Sequence, residues 1–324
     1  MDLRTFCAQS KVVVVAGKGG VGKTTVTAAL ARMAAGLGLS VLIVEVEGKT
    51  GLAAAFGAED LEYDERELAP GVRARHLTPD VALVEYLEEH GLRRISRRLV
   101  KGGLVEVVST AAPGIKDILI LGKVKQLERT AAADLIVLDA PAAGHAVSFL
   151  MSPRGMGEIV RSGPLRAQAE DVLAMLTDPA RCRVMLVTLA EETPVNEVVE
   201  TAFALEDKVG VDLGPVVVNA LYPVLSGLDV DPAKATAEAG LTLTDADADV
   251  LIAAAEFRAR RQELQQEQVA RLAAALPLPQ VHLPTLFGVD LGPSDIDHLA
   301  AALAEGIERL PATGGHGYRT GVAR

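Results

Sequence analysis

Residues 17–25 read Gly17-Lys18-Gly19-Gly20-Val21-Gly22-Lys23-Thr24-Thr25, and this short stretch is the strongest indication of the fold. An unbroken apolar run, Val12–Val15, comes just before it, and an alanine-rich segment with helical spacing follows it. A strand, a glycine-rich loop and a helix in this order are typical of a P-loop, which binds phosphate. Glycines let backbone N–H groups approach phosphate oxygens closely, and the helix directs its positive N-terminal end to the same anion.

Three side chains of this stretch predict contacts with a nucleotide. Lys23 can reach the β- and γ-phosphates, and the Thr24 hydroxyl can bind Mg²⁺. Lys18 adds a second positive charge that an ordinary P-loop does not need, which suggests further phosphate charge to neutralise; a solvated surface lysine is the alternative. The sequence therefore predicts that Gly17–Thr25 binds ATP or ADP together with Mg²⁺.

The composition limits the kinds of protein that this chain can be. Its 324 residues suffice for one large α/β domain with an insertion or for two smaller domains, and 49% hydrophobic residues can form a substantial core. The net charge of −11 argues against a protein that binds nucleic acid. No apolar run approaches the ~20 residues of a membrane-spanning helix, and the N-terminus lacks a secretory signal. We therefore expect a cytoplasmic protein with at most peripheral membrane contact.

The two cysteines, Cys7 and Cys182, lie far apart in the sequence. This usage fits a reduced cytosol and excludes a disulfide framework. A four-cysteine zinc site within one chain is impossible, and a site shared between two chains usually needs a C-x-x-C pair. We therefore expect neither zinc nor an iron–sulfur cluster.

Short apolar runs of the kind found in strands buried on both faces alternate with helical segments. The six runs are Val12–Val15, Val41–Val46, Leu135–Leu138, Val184–Leu189, Val216–Val218 and Val281–Leu283. This alternation predicts an α/β fold with a doubly wound, mainly parallel sheet.

Two regions interrupt the alternation and are predicted to be mostly helical, residues 53–133 and 145–179. We expect them to stand at one end of the sheet as a helical subdomain inserted into a single P-loop ATPase domain, residues 1–311. Their apolar residues either line a groove for a client helix or pack between the helices, and the sequence leaves both interpretations open. The glycine-rich segment 312–324 is predicted to be a flexible tail.

Carboxylates at strand ends are the next candidate residues. Asp139 closes the apolar run Leu135–Leu138, where it could help Thr24 to hold Mg²⁺. Glu45 and Glu47 point to the same face, but only Glu47 lies at the carboxyl end of its strand. Glu47 is therefore the candidate for orienting the attacking water.

The segment that follows Asp139 is suited to a loop that moves with the γ-phosphate. Its predicted switch residues are Pro141, Gly144 and His145. His145 could sense the γ-phosphate, although a histidine at the start of a helix is often only structural.

Several motifs together resemble the arsenite-pump and tail-anchored-protein-targeting ATPases, a family of dimer-forming P-loop ATPases with a deviant Walker A motif. The matching segments are Gly17–Thr25, Val41–Gly57, Pro113–Asp117, Asp139–Leu150 and Val216–Asn219. The resemblance extends from about Val12 to Leu291, and the chain resembles a bacterial single-domain member, equivalent to one half of the double-length pump. It implies that Lys18 reaches the phosphates of a dimer partner, that Asn219 contacts adenine, and that Pro284-Thr285-Leu286 closes over the base.

The chain departs from the family pattern in two respects. Glu47 stands where the family has an aspartate that orients water. The extra methylene moves the carboxylate, and a misplacement of about 1 Å can lower a rate about 100-fold, so we expect slow hydrolysis. The cysteines that bind zinc or metalloid in family members have no counterpart here, so the sequence gives little support to metalloid binding.

Together these features predict a Mg²⁺-dependent ATPase of the anion-pump or targeting type, with Lys18, Lys23 and Glu47 as catalytic residues. It would act as a homodimer, or as a heterodimer with a paralogous ATPase, and open and close the helical subdomain around a protein client such as a membrane protein. One alternative is a non-catalytic or weakly active nucleotide-binding subunit, which the altered Glu47 segment favours. A partition-type positioning ATPase is another.

Overall fold

A computed structural model describes residues 1–46, 51–89, 91, 93–94, 96, 114–288 and 291–311 of the chain. Its centre is a sheet of eight strands: β1 (Val12–Gly17), β2 (Val41–Val46), β3 (Arg66–Ala69), β4 (Val72–Leu77), β5 (Leu135–Ala142), β6 (Cys182–Leu189), β7 (Val216–Leu221) and β8 (Gln280–Pro284). Their spatial order is β3-β4-β2-β5-β1-β6-β7-β8. All neighbouring strands are parallel except β3 and β4, which pair antiparallel.

The order of the strands reverses at β1. Strands β5, β2, β4 and β3 extend to one side of β1, and β6, β7 and β8 extend to the other. In open parallel sheets, ligands bind beyond the carboxyl ends of the strands at such a reversal. The loop that follows β1 lies at this point.

The helices of the described residues cover both faces of the sheet. They are α1 (Leu3–Ala8), α2 (Lys23–Gly36), α3 (Gly51–Ala55), α4 (Pro79–Glu89), α5 (Ile115–Arg129), α6 (Ala143–Ile159), α7 (Pro164–Leu176), α8 (Glu192–Lys208), α9 (Pro232–Glu238), α10 (Asp245–Ala275) and α11 (Pro293–Glu308).

Alternate residues of the central strands contribute to two hydrophobic cores, one on each face. Val12 and Val14 of β1 pack in the core that includes residues of α5, α6, α7 and α8. Val13 and Val15 pack in the core that includes α1, α2 and α11. Strands buried on both faces need apolar side chains at every position, which is why the apolar runs in the sequence are continuous.

All six apolar runs form strands, and the predicted α/β fold with a mainly parallel, doubly wound sheet is confirmed. The prediction of helix is wrong for residues 66–77, which form the β3–β4 hairpin. The turn of this hairpin contains Gly71 at a φ of +77°, a backbone conformation that favours glycine. In β4, the charged residues Arg73 and Arg75 alternate with the apolar residues Val72 and Ala74. An apolar-run criterion overlooks this period of two in polarity.

The helices of the predicted subdomain contribute to the hydrophobic core on the face of the sheet that carries Val12 and Val14. Leu121 of α5, Phe149 of α6 and Val172 of α7 are buried in the same cluster as Val12 and Ile136 of the sheet. These helices therefore pack on a face of the sheet and not only at its end. The division into a domain of residues 1–311 with an inserted helical subdomain stays a prediction, and residues 97–113 and the predicted tail lie outside the described part of the chain.

Candidate nucleotide-binding site

The predicted P-loop joins the end of β1 to the start of α2. A Cβ atom on Gly17 would lie 2.3 Å from the carbonyl oxygen of Val187 in β6, so only glycine fits where the loop leaves the sheet. At Gly20 and Gly22 the backbone conformation favours glycine instead, because their φ values of +84° and +87° lie in the left-handed region. Gly22 is followed directly by α2, so the free N–H groups of the first helical turn face the loop.

The two lysines of the loop occupy different environments. Lys23 is buried, with 5% of its surface exposed, and its ammonium group donates a hydrogen bond to the carbonyl of Lys18 at 2.9 Å. Its charge is therefore held within the turn of the loop. The side chain of Lys18 is about half exposed and forms an ion pair with Glu197 of α8, with Nζ and Oε1 2.5 Å apart.

Glu197 is a candidate residue that the sequence analysis missed. It lies 179 residues from Lys18 in the chain. No local motif indicates that α8 lies beside the P-loop, and only the parallel placement of β6 next to β1 brings it there.

Thr24 and Asp139 meet across the ends of α2 and β5. The Thr24 hydroxyl donates a hydrogen bond of 2.7 Å to Oδ2 of Asp139, which is fully buried. Asp139 pairs in register with Val15 of β1, two residues before the P-loop begins. A hydroxyl and a carboxylate oxygen are hard ligands of the kind that Mg²⁺ prefers, so this pair fits the predicted metal site.

A row of polar side chains extends from Asp139 along the carboxyl ends of two further strands. Glu45 of β2 pairs in register with Asp139 of β5 on one side and with His76 of β4 on the other. Glu45 is buried, and its carboxylate lies 3.5 Å from Nδ1 of His76. Burial lowers the pKa of His76, which favours the neutral imidazole near pH 7. The sequence analysis missed His76 because it assigned this segment to helix.

Two of the predicted functional residues cannot be placed at this site. Glu47, the candidate for orienting water, lies outside the described residues, directly after the end of β2. The side chain of His145 also lies outside the described part of the chain. The catalytic role of Glu47 and the sensing role of His145 stay predictions.

The segment after Asp139 differs from the predicted loop. Strand β5 continues through Pro141 to Ala142, and α6 begins at Ala143, so Gly144 belongs to the first turn of a helix. Pro141 is buried. The prediction of a loop is therefore wrong for this structure, because the strand passes directly into the helix; the switch role of the segment stays a prediction.

The residues predicted to contact the base lie at the ends of β7 and β8. The amide nitrogen of Asn219 donates a hydrogen bond of 3.0 Å to the carbonyl of Val21 in the P-loop. A Cβ atom on Gly22 would lie 2.2 Å from this amide nitrogen. Pro284-Thr285-Leu286 lies at the end of the adjacent strand β8, where the N–H of Thr285 donates to the carbonyl of Leu221 at 2.7 Å. The structure therefore brings Asn219 to the P-loop, and its contact with adenine stays a prediction.

The arrangement suits the binding of a phosphorylated ligand at one edge of the sheet. Backbone N–H groups, the ammonium groups of two lysines, and the Thr24–Asp139 pair all lie where β1, β5 and β7 end. Charges placed at such an edge can bind an anion and a divalent cation together. Among the described helices, none combines the length and the apolar character needed to cross a bilayer.

Comparison with known proteins identifies the group to which this site belongs. Residues 10–163 match the family described as anion-transporting ATPase. The chain is 34% identical to the ATPase BagA of Mycobacterium tuberculosis over 320 residues, which cover 90% of this chain and 92% of the relative. It is 28% identical to the ATPase get3 of Schizosaccharomyces japonicus, over 52% of this chain and 54% of the relative. It is 25% identical to the arsenical pump-driving ATPase of Escherichia coli, over 64% of this chain and 39% of the relative. These matches, together with a P-loop that contains a buried lysine and with the threonine–aspartate pair beside it, show that this chain belongs to the anion-transporting ATPase family.

Proposed function

We propose that this protein binds and hydrolyses ATP with Mg²⁺, acts as a dimer in the cytoplasm, and uses its nucleotide state to open and close helices that bind a protein client. As a family member it is a P-loop ATPase of the anion-pump and targeting type. The observation that carries the proposal is the buried ammonium of Lys23 inside the loop, next to the Thr24–Asp139 pair.

The two lysines would stabilise the negative charge that develops on the transferring phosphoryl group. Lys23 would exchange its hydrogen bond with the Lys18 carbonyl for bonds to the β- and γ-phosphates. Lys18 would leave its ion pair with Glu197 to reach the phosphates of the dimer partner. Breaking this ion pair costs little free energy, because a pair between half-exposed side chains contributes little to stability.

The Thr24 hydroxyl and the Asp139 carboxylate would hold Mg²⁺. When it is bound, the metal neutralises charge on the β- and γ-phosphates. Glu47 would position the attacking water, and Asn219 with Pro284-Thr285-Leu286 would contact the base. Because the carboxylate of glutamate extends further than that of aspartate, the turnover is expected to be low.

The dimer would consist of two copies of this chain or of this chain and a paralogous ATPase. The names of the relatives point to two kinds of work, since one is an ATPase get3 and another drives an arsenical pump. A protein client fits this chain better than a metalloid. Burial raises the pKa of Cys7 to about 11 and of Cys182 to about 12, so neither thiol is a ready ligand.

The test is calorimetry with Mg·ATP combined with measurement of phosphate release. We expect wild-type protein to bind ATP and release phosphate slowly. Lys23→Ala should lower the affinity for ATP by roughly 100-fold, because charge-assisted bonds to phosphate are lost. Lys208→Ala, an exposed lysine at the end of α8, is the matched control and should behave as wild type.

Two results would contradict the proposal. Absence of saturable binding at millimolar Mg·ATP would exclude the nucleotide site itself. Binding without phosphate release by the chain alone, but with release after addition of a paralogous ATPase, would favour the non-catalytic subunit instead.

A further inference from the structure

Strand β7 changes its pairing with β8 around Asn219. Val218 pairs with His282 of β8. The next pair joins Leu221 with Pro284, so between the two pairs β7 contains one residue more than β8. A β-bulge of this kind bends the strand and changes the direction of the side chains beside it, and bulges are frequent next to functional sites. The direction of the Asn219 side chain toward the P-loop therefore depends on the bulge.

The bulge contains a strained backbone conformation. Ala220, the residue after Asn219, has a φ of +56°. For a residue with a Cβ atom this left-handed conformation is unfavourable, and it persists only where the surrounding structure holds it. Strand β6 ends at Leu189, opposite Asn219, so it does not extend to Ala220. Another element must therefore hold the bulge.

The side chain of Gln265 in α10 holds the bulge. It is buried, with 4% of its surface exposed. Its amide nitrogen donates to the carbonyl of Ala220 at 3.0 Å, and its amide oxygen accepts from the N–H of Tyr222 at 2.8 Å. The carboxamide thus bonds the backbone on both sides of Leu221, as a neighbouring strand would. An apolar side chain in its place would remove both hydrogen bonds at once.

Two further side chains of α10 bind the same segment. Arg258, Gln262 and Gln265 are spaced by four and three residues, so they lie on one side of the helix. Arg258 and Gln262 donate to the carbonyl of Pro223 at 2.9 and 2.7 Å. The segment that follows Asn219 is therefore bonded to α10 over several consecutive residues.

Arg258 also connects this segment to the one that follows β8. Its guanidinium lies 5.1 Å from the ring centroid of Tyr222 and 5.3 Å from that of Phe287. The two rings are in edge-to-face contact, with centroids 5.4 Å apart. Phe287 directly follows Pro284-Thr285-Leu286, the second segment proposed to contact the base. One side of α10 therefore holds both of these segments.

The hydrogen bond of Asn219 determines which of its atoms faces a ligand. Its amide nitrogen donates to the carbonyl of Val21, so its amide oxygen Oδ1 is the atom that can accept a hydrogen bond from a base. Adenine carries an amino donor at the position where guanine carries a carbonyl acceptor. An Asn219 side chain held in this direction favours adenine over guanine.

We propose that Gln265 is a positioning residue that holds the bulge at Ala220 and thereby directs Asn219 for the recognition of adenine. The inference rests on the proposed contact between Asn219 and the base, and it names a residue outside the site on which that contact depends. The phosphates would be bound by different groups, the backbone N–H groups of the P-loop and Lys23. Binding of the base and binding of the phosphates can therefore be measured separately.

Calorimetry with Mg·ATP, Mg·GTP and Mg·tripolyphosphate tests the proposal. Wild-type protein should bind ATP more tightly than the other two ligands. Gln265→Met keeps the length of the side chain and removes both of its hydrogen bonds. It should lower the affinity for ATP roughly 5- to 10-fold, the equivalent of one lost hydrogen bond, and change the affinity for tripolyphosphate less than about twofold. The preference for ATP over GTP should fall with the affinity for ATP.

Gln266→Met is the matched control, because Gln266 is the next residue of α10 and its side chain is exposed. It should bind all three ligands as the wild type does. Ala220→Gly provides a rescue, since glycine adopts a positive φ without strain. Added to Gln265→Met, it should restore most of the lost affinity for ATP.

A second variant changes the bulge without changing α10. In Ala220→Val, the β-branched side chain disfavours a positive φ more strongly than alanine does. This variant should also lose affinity for ATP and keep its affinity for tripolyphosphate. Thermal melting of each variant shows whether it is folded at the temperature of the titrations.

The outcomes separate this inference from the proposed function. Equal losses of affinity for ATP and tripolyphosphate in Gln265→Met would indicate a general structural role and overturn the inference. Unchanged affinity for ATP in Gln265→Met, together with a loss in Asn219→Ala, would overturn it and leave the base contact intact. A wild-type protein that binds ATP no more tightly than tripolyphosphate would overturn both the base contact and the role of Gln265, but not the ATPase.

Discussion

At the scale of single residues, the site depends on positions where the backbone leaves no choice of side chain. Gly17 lies against the backbone of β6, and Gly22 lies against the amide of Asn219. The second contact joins the P-loop to β7, so two neighbouring strands on the same side of β1 hold the loop. The loop is therefore preorganised by packing, which reduces the entropy that nucleotide binding must overcome.

We expect Glu47→Gln to retain ATP binding and to lose turnover. The amide keeps the size of the side chain, but it cannot accept a proton from the attacking water. Single-turnover measurements of phosphate release, with affinity measured by calorimetry, would separate the two effects. Glu59→Gln, an exposed glutamate, is the control; turnover that survives the Glu47 change would show that another group positions the water.

The buried thiols predict a dependence of stability on pH. Burial raises the pKa of Cys182 from its ordinary value of 9.0 to about 12, so the folded protein keeps this proton at a pH where the unfolded chain has lost it. The free energy of unfolding should therefore be unaffected below pH 8 and fall above pH 9, by up to about 1.4 kcal/mol per pH unit for this thiol. Urea unfolding between pH 7 and 11, compared with Cys182→Ala, measures the difference; equal slopes for the two proteins would contradict it.

At the scale of elements, the sheet order determines which side chains meet. The three strands β4, β2 and β5 lie side by side and bring His76, Glu45 and Asp139 into one row. Helix α2 lies on the same face and supplies Thr24 to the end of this row. The candidate metal site therefore arises from a helix start and a strand end that are 115 residues apart in the chain.

Two glycines in helices predict opposite effects of substitution by alanine. Gly155 lies within α6 with open space around it, so Gly155→Ala should stabilise the protein by about 0.5–1 kcal/mol through higher helix propensity. Gly306 lies within α11, where a Cβ would be 2.5 Å from Cγ1 of buried Val281. Gly306→Ala should therefore destabilise it by roughly 1–3 kcal/mol. Thermal or urea unfolding checks both, and a stabilising Gly306→Ala would mean that α11 can shift away from β8.

At the scale of the whole molecule, the nucleotide site depends on both cores. The P-loop lies at the edge shared by the two faces, with Lys23 at the start of a helix packed in one core and Asp139 on a strand that contributes to both. A ligand that binds only the folded state shifts the unfolding equilibrium of the entire sheet.

Mg·ATP should therefore raise the melting temperature of the wild-type protein. At a ligand concentration of 100 times Kd, the added stability is about 2.7 kcal/mol. Lys23→Ala, whose affinity for ATP is expected to be roughly 100-fold lower, should gain only about 0.4 kcal/mol at the same ligand concentration. Removal of Mg²⁺ with a chelator should reduce the wild-type shift. An equal shift in Lys23→Ala would mean that ATP binds elsewhere.

Features that depend on neighbouring residues could be predicted from the amino-acid sequence alone. The glycine spacing of residues 17–25 predicted the P-loop, and six apolar runs predicted six strands of a mainly parallel sheet. Both signals are local, because backbone conformation and burial on two faces act on consecutive residues. The β3–β4 hairpin was missed, because its charged residues interrupt the apolar pattern.

The contacts between distant residues became apparent only from the folded structure. The pairs Lys18–Glu197 and Asn219–Val21 join residues 179 and 198 positions apart, and no local pattern specifies them. Such contacts follow from strand order and from helix packing on the sheet, which are properties of the folded chain and not of any single segment.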